Sequence, residues 1–429
     1  MRSYKHILIY LCLSSFSGFE TGKLHAQSSN ESGFELVDTT EQRIRIPFEL
    51  INNLVIIEIR INGSEPLKFV LDTGVGTTLI TGLPNNEELY LKNSRIITLA
   101  GLGENEPMQA YLSKNNSISL KGVEGENLDV VFLLEDVFNL SSFMGTFVHG
   151  LIGYDLFANF AVEIDYKKKH IFLYEPESYK KKFQKLSKHR KWHKFPILID
   201  NQKPYLYLDY LPSGETTTHQ IKLLIDSGAS NAFSFYETTE DFFTIPASNI
   251  QTLLGIGLSG NVNGKMGRVN EVSLGKFIFD KPVVAFPDSL SVANAIRLSD
   301  RNGSVGGEIL RRFKVIFHYQ DGFMLLRSNN DFKDDFNYNM SGIEIYTPIP
   351  NLPLYVILKV RKGSSADVAG IREEDIINRI NGTKTEELTF NDILNYLESR
   401  EGSSIRMEVQ RDSTIKKFFF RLRNELKVD

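Results

Sequence analysis

Short apolar segments, several of them alternating with polar residues, recur along the first part of the chain and predict β-strands. Asn62-Gly63 separates two of these segments and predicts a tight hairpin turn. Short helices are expected at Tyr154–Asn159 and Glu308–Arg312, and the pattern therefore favours a mainly β protein. The predicted strands are Ile44–Phe48, Val55–Ile61, Leu67–Leu71, Ile118–Leu120, Val130–Leu134, Ala161–Ile164 and Ile171–Tyr174.

Two apolar segments of the chain end in nearly the same tripeptide. Asp72-Thr73-Gly74 follows Phe69-Val70-Leu71, and Asp226-Ser227-Gly228 follows Leu223-Leu224-Ile225, so the two aspartates stand 154 positions apart. A single Asp-Thr/Ser-Gly tripeptide is more often a turn at the end of a strand than a catalytic site. Two copies in matching positions instead predict two half-sites that meet across an internal two-fold axis.

Two further landmarks repeat in the same order and at almost the same spacing. Leu99–Gly103 corresponds to Thr252–Gly257, and Gly150–Leu156 corresponds to Gly303–Ile309, with offsets of 154 residues (103 to 257) and 153 residues (153 to 306). A chance match would not keep its register over so long a stretch. The chain therefore contains a duplicated unit.

The tripeptides contain the residue types that acid–base hydrolysis needs. Their glycines allow a sharp turn after the strand, and their hydroxyls can bond backbone groups of the opposite half. Two carboxyl groups about 3 Å apart cannot both ionise, so one keeps a proton while the other takes a proton from water. The pair titrates as a unit, and neither aspartate is permanently the base. The predicted catalytic residues are Asp72 and Asp226, supported by Thr73, Gly74, Ser227 and Gly228.

Composition limits the classes of function. The 429 residues predict two or three domains, and a hydrophobic content of 41% is sufficient for their cores. The net charge of −4 gives no electrostatic reason to expect a nucleic-acid partner. Lysines are concentrated between residues 180 and 194, where a solvated connector between the repeats is favoured over a basic docking patch.

The N-terminal segment has the pattern of an export signal. Arg2 and Lys5 precede the short apolar stretch Ile7–Leu13, and small and polar residues follow as far as Ala26. The stretch is too short to span a bilayer, and no other apolar run is long enough. The single cysteine, Cys12, lies inside this segment, so the mature chain is expected to lack disulfides, thiol nucleophiles and cysteine metal sites.

Each repeat resembles the retropepsin-like aspartic proteases, specifically the exported bacterial aspartyl protease group. The resemblance covers roughly residues 44–328 and recurs in both halves. It implies that one chain supplies both halves of a site that viral relatives build from two identical chains. It also implies a glycine-bearing flap over the substrate, formed by Gly101, Leu102, Gly103, Gly255, Ile256 and Gly257. The loop that braces each active-site strand is implied to contain Ile152, Gly153, Val305 and Gly306.

The C-terminal segment is similar to the PDZ domains of bacterial periplasmic proteases. The strand Tyr355–Val360 precedes a turn, a helix is expected to begin near Ser364-Ser365 and end at Gly370, and Asn381-Gly382 predicts a hairpin. A PDZ groove takes an extended peptide as an added strand and captures its terminal carboxylate on backbone N–H groups. The resemblance places the carboxylate loop at residues 351–354, and the groove at Leu352, Leu354, Tyr355, Val356, Ile393 and Leu397.

Three other chemistries have weaker signals. Gly255-x-Gly257-x-x-Gly260 fits a dinucleotide fingerprint, but no helix is expected after it, so a β-hairpin is favoured. His189 and His193 have the i, i+4 spacing of zinc ligands, but Arg190 replaces the glutamate of a zinc protease. Spacing alone leaves a Ser–His–Asp triad open, although the chain contains no Gly-x-Ser-x-Gly elbow.

The sequence as a whole predicts an exported, periplasmic or extracellular, single-chain aspartic endopeptidase with a PDZ module. The alternative is an inactive protease-like protein that binds peptides. The expected partners are peptide or protein substrates and peptide C-termini at the PDZ groove, without metal, other cofactor or membrane span, and a monomer is expected. The predicted architecture is mainly β, with two pseudo-symmetric retropepsin-like β lobes followed by an α+β PDZ domain. The predicted boundaries are 1–26 (signal peptide), 27–43 (tail), 44–175 (lobe 1), 176–193 (basic connector), 194–328 (lobe 2), 329–341 (linker) and 342–425 (PDZ domain).

Overall fold

The protein is described by a computed structural model of residues 33–38, 40–83, 88–99, 101–105 and 107–426. Strands dominate these residues and form four sheets, which confirms the mainly β class expected from the sequence. The predicted signal peptide and the start of the predicted tail lie outside the described residues.

We call residues 33–174 the first lobe. Its helix Tyr154–Asn159 is confirmed with the predicted bounds, and a turn at Asn62-Gly63 joins two strands as expected. The elements are β1 (Gly33–Leu36), β2 (Arg43–Pro47), β3 (Glu49–Ile51), β4 (Leu54–Ile61), β5 (Leu67–Leu71), β6 (Thr78–Ile80), β7 (Ser94–Leu99), β8 (Met108–Leu120), β9 (Val123–Leu133), α1 (Leu140–Met144), β10 (Gly150–Ile152), α2 (Tyr154–Asn159), β11 (Ala161–Asp165) and β12 (His170–Tyr174).

We call residues 176–328 the second lobe. The short helix predicted at Glu308–Arg312 lies in this lobe. It begins one residue earlier, at Gly307, and ends at Leu310. The elements are α3 (Pro176–Ser187), β13 (His193–Pro196), β14 (Leu198–Asp200), β15 (Lys203–Leu211), β16 (His219–Ile225), β17 (Phe233–Phe235), β18 (Asn249–Gly257), β19 (Gly260–Arg268), β20 (Glu271–Leu274), β21 (Phe277–Asp280), β22 (Val283–Pro287), α4 (Ser289–Leu298), β23 (Gly303–Val305), α5 (Gly307–Leu310), β24 (Phe313–His318) and β25 (Phe323–Ser328).

We call residues 342–426 the C-terminal domain. The predicted strand, the helix ending at Gly370 and the Asn381-Gly382 hairpin are all confirmed, and residues 390–397 form a further, amphipathic helix. The elements are β26 (Ile343–Tyr346), β27 (Tyr355–Val360), α6 (Ser365–Ala369), β28 (Ile376–Ile380), β29 (Thr383–Lys384), α7 (Phe390–Leu397), β30 (Ser404–Arg411) and β31 (Thr414–Arg421).

The strands around each aspartate tripeptide follow one plan in the two lobes. The first lobe has the order β9-β6-β10-β5-β4, and the second lobe has the order β22-β17-β23-β16-β15. The strand directions also agree. The pairs β5–β10 and β16–β23 are parallel, β10–β6 and β23–β17 are antiparallel, β6–β9 and β17–β22 are parallel, and β4–β5 and β15–β16 are antiparallel. The duplication read from the sequence therefore corresponds to two similar sheets.

A six-stranded sheet joins the two lobes. Its order is β13-β25-β24-β11-β12-β2, so the first lobe supplies one half and the second lobe the other. At its centre β11 and β24 pair antiparallel, with Glu163 opposite Ile316. These two positions are 153 residues apart, which is the offset of the repeat. Equivalent residues that face each other in this way place the internal two-fold axis between β11 and β24.

The predicted basic connector, residues 176–193, is not simply solvated chain. It contains α3, whose Tyr179 is fully buried and whose Phe183 ring lies 4.4 Å from that of Phe323 on the joining sheet. Lys182 donates to Glu163 at 2.9 Å, so a buried carboxylate of the sheet neutralises one of the clustered lysines. The many lysines of this segment made it read as solvated, although α3 also has an apolar face that packs onto the joining sheet.

The predicted linker, residues 329–341, is also packed. Phe336, Tyr338 and Met340 are buried, and Tyr338 Oη accepts hydrogen bonds from the backbone N–H groups of Glu425 (2.6 Å) and Leu426 (3.2 Å). The segment therefore ties the end of the C-terminal domain to the second lobe.

The C-terminal domain contacts both lobes. Asn391 of α7 donates to Leu50 O at 2.7 Å and accepts from Asn52 N at 2.9 Å, and Thr347 N donates to Ser142 O at 2.9 Å. One continuous hydrophobic cluster includes buried residues of this domain together with Met266 and other residues of the second lobe. The three parts of the described chain thus share their apolar cores.

Candidate active site

The two tripeptides lie at the ends of equivalent central strands. Asp72 follows β5 and its N–H donates to Ile152 O at 2.8 Å, while Asp226 follows β16 and its N–H donates to Val305 O at 2.9 Å. Both aspartates are fully buried. Ile152 and Val305, which the resemblance assigned to the bracing loop, are therefore the residues that hold the two aspartate backbones.

The hydroxyls of the tripeptides form a reciprocal set of hydrogen bonds across the two-fold axis. Thr73 Oγ1 donates to Ile225 O at 2.7 Å and accepts from Ser227 N at 2.9 Å. Ser227 Oγ donates to Leu71 O at 2.7 Å and accepts from Thr73 N at 3.0 Å. Since all four bonds are buried and each lobe supplies half of them, they fix the two strand ends relative to each other.

The glycines of the tripeptides let the carboxyl groups approach. Gly74 N donates to Asp72 Oδ1 at 2.7 Å, and Gly228 N donates to Asp226 Oδ1 at 3.1 Å. A β-carbon on Gly74 would lie 3.1 Å from Asp72 Oδ1 and 3.4 Å from Asp226 Oδ1, and one on Gly228 would lie 2.4 Å from Asp72 Cγ. Both carboxyl groups thus lie close to the tripeptide glycines, and a side chain at Gly228 would displace the carboxyl group of Asp72, whereas one at Gly74 would crowd both carboxyl groups.

The electrostatics of this pair match its geometry. The pKa of Asp72 is raised well above 3.8, first by burial and then by the negative charge of Asp226. The N–H groups of Gly74 and Gly228 and the positive charge of Lys203 oppose that rise. One carboxyl group of the pair therefore keeps its proton at a pH where an exposed aspartate has lost it.

The glycines of the bracing loops are required by close backbone approach. A β-carbon on Gly153 would lie 2.0 Å from Asp72 O, and one on Gly306 would lie 2.3 Å from Asn231 O. Any side chain at either position would push the loop away from the tripeptide or from the turn that follows it. Gly153 and Gly306 are therefore structural requirements of the site.

The two glycine-bearing hairpins meet at their tips. The N–H of Gly101 donates to Ser259 Oγ at 3.1 Å, and the N–H of Ser259 donates to Leu102 O at 2.8 Å. A β-carbon on Gly103 would lie 2.3 Å from the Ser259 carbonyl carbon, and one on Gly257 would lie 2.1 Å from Leu102 O. The sequence predicted the hairpins, but their direct contact through Ser259 has no local sequence signal.

Gly255 and Ile256 lie on β18, paired with Val262 and Asn261 of β19. The glycines from 255 to 260 therefore belong to a β-hairpin, as the sequence favoured, and not to a dinucleotide loop before a helix. Among the described residues no group of three histidine, cysteine or acidic side chains is arranged to bind a metal ion.

The predicted PDZ groove is on the wrong strand. Tyr355 and Val356 lie on β27, which pairs with β26 on one side and with β28 on the other and so offers no free edge. Ile393 and Leu397 are fully buried in the domain core. The edge strand is β26, whose four residues are too few to show in the apolar pattern.

The predicted carboxylate loop is displaced as well. The N–H of Asn351 donates to Gly145 O of the first lobe at 3.0 Å, and Leu352 is half exposed while Leu354 is partly buried. Residues 351–354 thus connect β26 to β27 along the surface of the first lobe.

The loop before β26 is bonded by its own side chains. Asn339 Oδ1 accepts from the N–H groups of Ser341 and Gly342, both at 3.2 Å, and Asn339 Nδ2 donates to Ile343 O at 2.6 Å. Ser341 Oγ accepts from Ile343 N at 3.0 Å. These are backbone groups that an added peptide strand would need, so Asn339 competes with such a ligand.

Two segments of the chain match known families. Residues 57–156 match the family described as aspartyl protease, and residues 356–411 match the family described as PDZ domain. No curated protein matches the chain. The chain therefore contains an aspartyl protease domain that includes Asp72, and a C-terminal PDZ domain. In the part of the chain that the structure describes, no helix has the length and apolarity needed to cross a membrane.

Proposed function

We propose that the protein is an exported, single-chain, retropepsin-like aspartic endopeptidase in which both lobes contribute to one catalytic site. The observation that carries this proposal is the buried pair Asp72 and Asp226, held by reciprocal hydrogen bonds of Thr73 and Ser227. The aspartyl protease match supports hydrolysis of peptide bonds. The charged, apolar and small residues of positions 1–26 support export to the periplasm or the cell exterior.

The reaction follows from the shared proton of the pair. The ionised carboxylate takes a proton from a water molecule, which then attacks the carbonyl carbon of the scissile peptide bond. The protonated carboxyl group donates to the carbonyl oxygen, so that charge does not build up on it in the transition state. Collapse of the tetrahedral intermediate transfers a proton to the leaving amine. No covalent enzyme intermediate is formed.

The joined hairpin tips supply a cover for this chemistry. Leu102 and Leu258 at the two tips are each 2% exposed, so the tips are packed against protein. An extended substrate enters only after the contacts through Ser259 open, and their closure removes water from the site.

The PDZ domain supports binding of peptides next to the protease lobes. An added peptide strand would use β26, the terminal strand of its sheet, after displacing the hydrogen bonds of Asn339 to Ser341, Gly342 and Ile343. We therefore propose that the PDZ domain binds peptides weakly and assists substrate recruitment, and that it does not capture free C-termini tightly.

Cleavage of a mixed peptide library by the purified mature chain tests the proposed function. We expect internal cleavage that a statine-type inhibitor stops and that chelators and serine-directed reagents leave unchanged. Binding of peptides without any cleavage would support the inactive protease-like alternative. Loss of cleavage on chelation would contradict an aspartate dyad.

The pH dependence of cleavage is expected to be bell-shaped with an acidic optimum. Activity needs one protonated and one ionised carboxyl group, so it falls at low pH, where both are protonated, and at high pH, where both are ionised. Because burial and the charge of Asp226 raise the pKa of Asp72, the alkaline limb lies above the usual aspartate range. Measurement of kcat/KM against pH gives both limbs, and a rate that rises steadily towards alkaline pH would contradict the mechanism.

A further inference from the structure

The two lobes differ in one buried residue beside the dyad. In each lobe a hairpin turn with two left-handed residues leads into the strand next to the aspartate strand: Asn52 and Asn53 with φ of 48° and 64°, and Asn201 and Gln202 with φ of 47° and 64°. The residue after the turn is Leu54 in the first lobe and Lys203 in the second lobe. Leu54 is fully buried and Lys203 is only 4% exposed.

The strand register places these two residues at the aspartates. Ile56 pairs with Val70 in β4–β5, so continuation of the register brings Leu54 opposite Asp72. Tyr205 pairs with Leu224 in β15–β16, and the same continuation brings Lys203 opposite Asp226. Residues at opposite positions of neighbouring antiparallel strands lie on the same face of the sheet. A lysine is thus built into one half of a site whose other half has an apolar residue.

The turn before Lys203 also contacts the other lobe. A β-carbon on Gly76 would lie 2.6 Å from Gln202 Oε1, so this turn packs against the loop that follows Asp72. The positive charge of Lys203 acts on Asp72 and opposes the rise in the pKa of that carboxyl group. Lys203 is therefore on the strand beside one aspartate and within electrostatic range of the other.

We infer that Lys203 is a positioning residue that stabilises the negative charge of the Asp72–Asp226 pair and so sets the pH range in which the pair can act. This inference rests on the proposed function, because it concerns the same site. It also breaks the symmetry of the pair, since the equivalent Leu54 offers no charge. A cation beside the pair favours its ionised forms, which moves both limbs of the pH profile towards lower pH.

Two further titratable groups lie near the pair and its lysine. Among those that interact with Asp72, Tyr319 follows β24, and burial, the charge of Asp72 and Tyr154 raise the pKa of its phenol well above 10. Tyr319 is therefore neutral throughout the acidic range and cannot produce either limb. Asp200 is the register partner of Lys203 in the β14–β15 hairpin, so a carboxylate residue also stands opposite the lysine.

The test is Lys203→Leu, which copies the residue of the first lobe. We expect both limbs of the kcat/KM profile to move up by about one pH unit, with roughly tenfold lower activity on the acid limb. Lys203→Met keeps an unbranched apolar side chain without the charge and should give the same shift. It replaces Lys203→Leu in the test if the leucine variant does not fold. Lys203→Arg keeps the positive charge, so both limbs of its profile should stay close to their wild-type positions.

The matched control is Lys222→Leu. Lys222 is also a lysine buried in the second lobe, at 7% exposure, but it is paired with Asp300 and not with the dyad. Its removal should leave both limbs in place. An unshifted profile in the Lys203 variants, or an equal shift in the Lys222 variant, would overturn the inference.

A second readout does not require turnover. NMR titration of ¹³C-labelled aspartate carboxyl groups, assigned with Asp72→Asn, should show the dyad titrating at higher pH in Lys203→Leu than in the wild type. If the wild-type chain cleaves no peptide, the proposed function fails, whereas the NMR titration still decides whether Lys203 controls the charge of the pair.

Discussion

Replacement of Asp72 or Asp226 by asparagine is expected to lower kcat by at least about a hundredfold. General acid–base catalysis contributes about 10²- to 10⁴-fold, and an amide can neither take a proton from water nor supply one. Because the two carboxyl groups act as one unit, each single variant should lose most of the activity, and the double variant should lose little more. The measurement is kcat on a peptide identified in the library experiment.

The asparagine variants are expected to remain folded. In Asp72→Asn the new amide would keep an oxygen for the N–H of Gly74, which now bonds Asp72 Oδ1 at 2.7 Å. The folded-state pKa of Asp72 lies above its unfolded value, so ionisation of this carboxyl group destabilises the folded protein. That stability is lost as pH rises from the unfolded pKa through the folded pKa. A neutral amide removes that loss, and Asp72→Asn should be at least as thermally stable as the wild type at neutral pH.

The control for these variants is Asp241→Asn, at an exposed aspartate of the second lobe. It should retain wild-type kcat. Either dyad variant that keeps more than about a tenth of the wild-type rate would contradict the shared mechanism, since that is less than about 1.4 kcal/mol of barrier. A dyad variant with a strongly lowered unfolding temperature would show that the pair is structural.

Removal of the C-terminal domain is expected to destabilise the protease lobes severely. From the sequence alone, a chain that ends near Met340 should fold and still cleave short peptides, because the cut lies in the predicted linker and leaves both aspartate-bearing lobes whole. The structure argues otherwise, since Tyr338 and Met340 are buried in the hydrophobic cluster that the C-terminal domain shares with the second lobe. Exposure of only a few such side chains costs about 1.5–3 kcal/mol each, and a whole domain has only about 5–15 kcal/mol of stability.

The measurement is thermal unfolding and solubility of residues 27–340 against the full mature chain. We expect aggregation, or an unfolding temperature lower by at least about 10 °C. A truncated chain with unchanged unfolding temperature and peptide-cleavage rate would show that the C-terminal domain is an independent module.

A milder test leaves the chain complete. Asn391→Ala removes the hydrogen bonds to Leu50 O and from Asn52 N, and should lower the free energy of unfolding by about 1–3 kcal/mol. Asn395→Ala on the same helix is the matched control, because its side chain is exposed. Equal stability of the two variants would mean that α7 does not hold the domain against the first lobe.

The features that the sequence predicted well have local signals or repeat. The tripeptides, the bracing glycines and the helix at residues 154–159 are visible because a turn, a glycine or a periodic segment marks each of them, and the duplication confirms their register. The reciprocal bonds of Thr73 and Ser227 could be anticipated for the same reason, since two hydroxyls at equivalent positions imply a symmetric contact.

The features that the sequence missed depend on contacts between distant segments. Lys203 reads as an ordinary polar residue before a strand, and only the pairing of β15 with β16 brings it to the dyad. The strand β26 has four residues and its partner lies beyond a surface loop, so the groove was assigned to the longer, more visible β27. Tyr338 and Met340 are buried against the C-terminal domain, and no feature of the composition signals that contact.

The pairing of β11 with β24 has a consequence for the concentration dependence of the enzyme. In an aspartic protease whose site is built from two separate chains, the half-sites must find each other, so activity falls when dilution separates the subunits. Here Glu163 and Ile316 are opposite each other within one chain, and the covalent link keeps the half-sites at a high effective concentration. Specific activity should therefore stay constant on dilution, and each half is free to change without disturbing a second copy of itself.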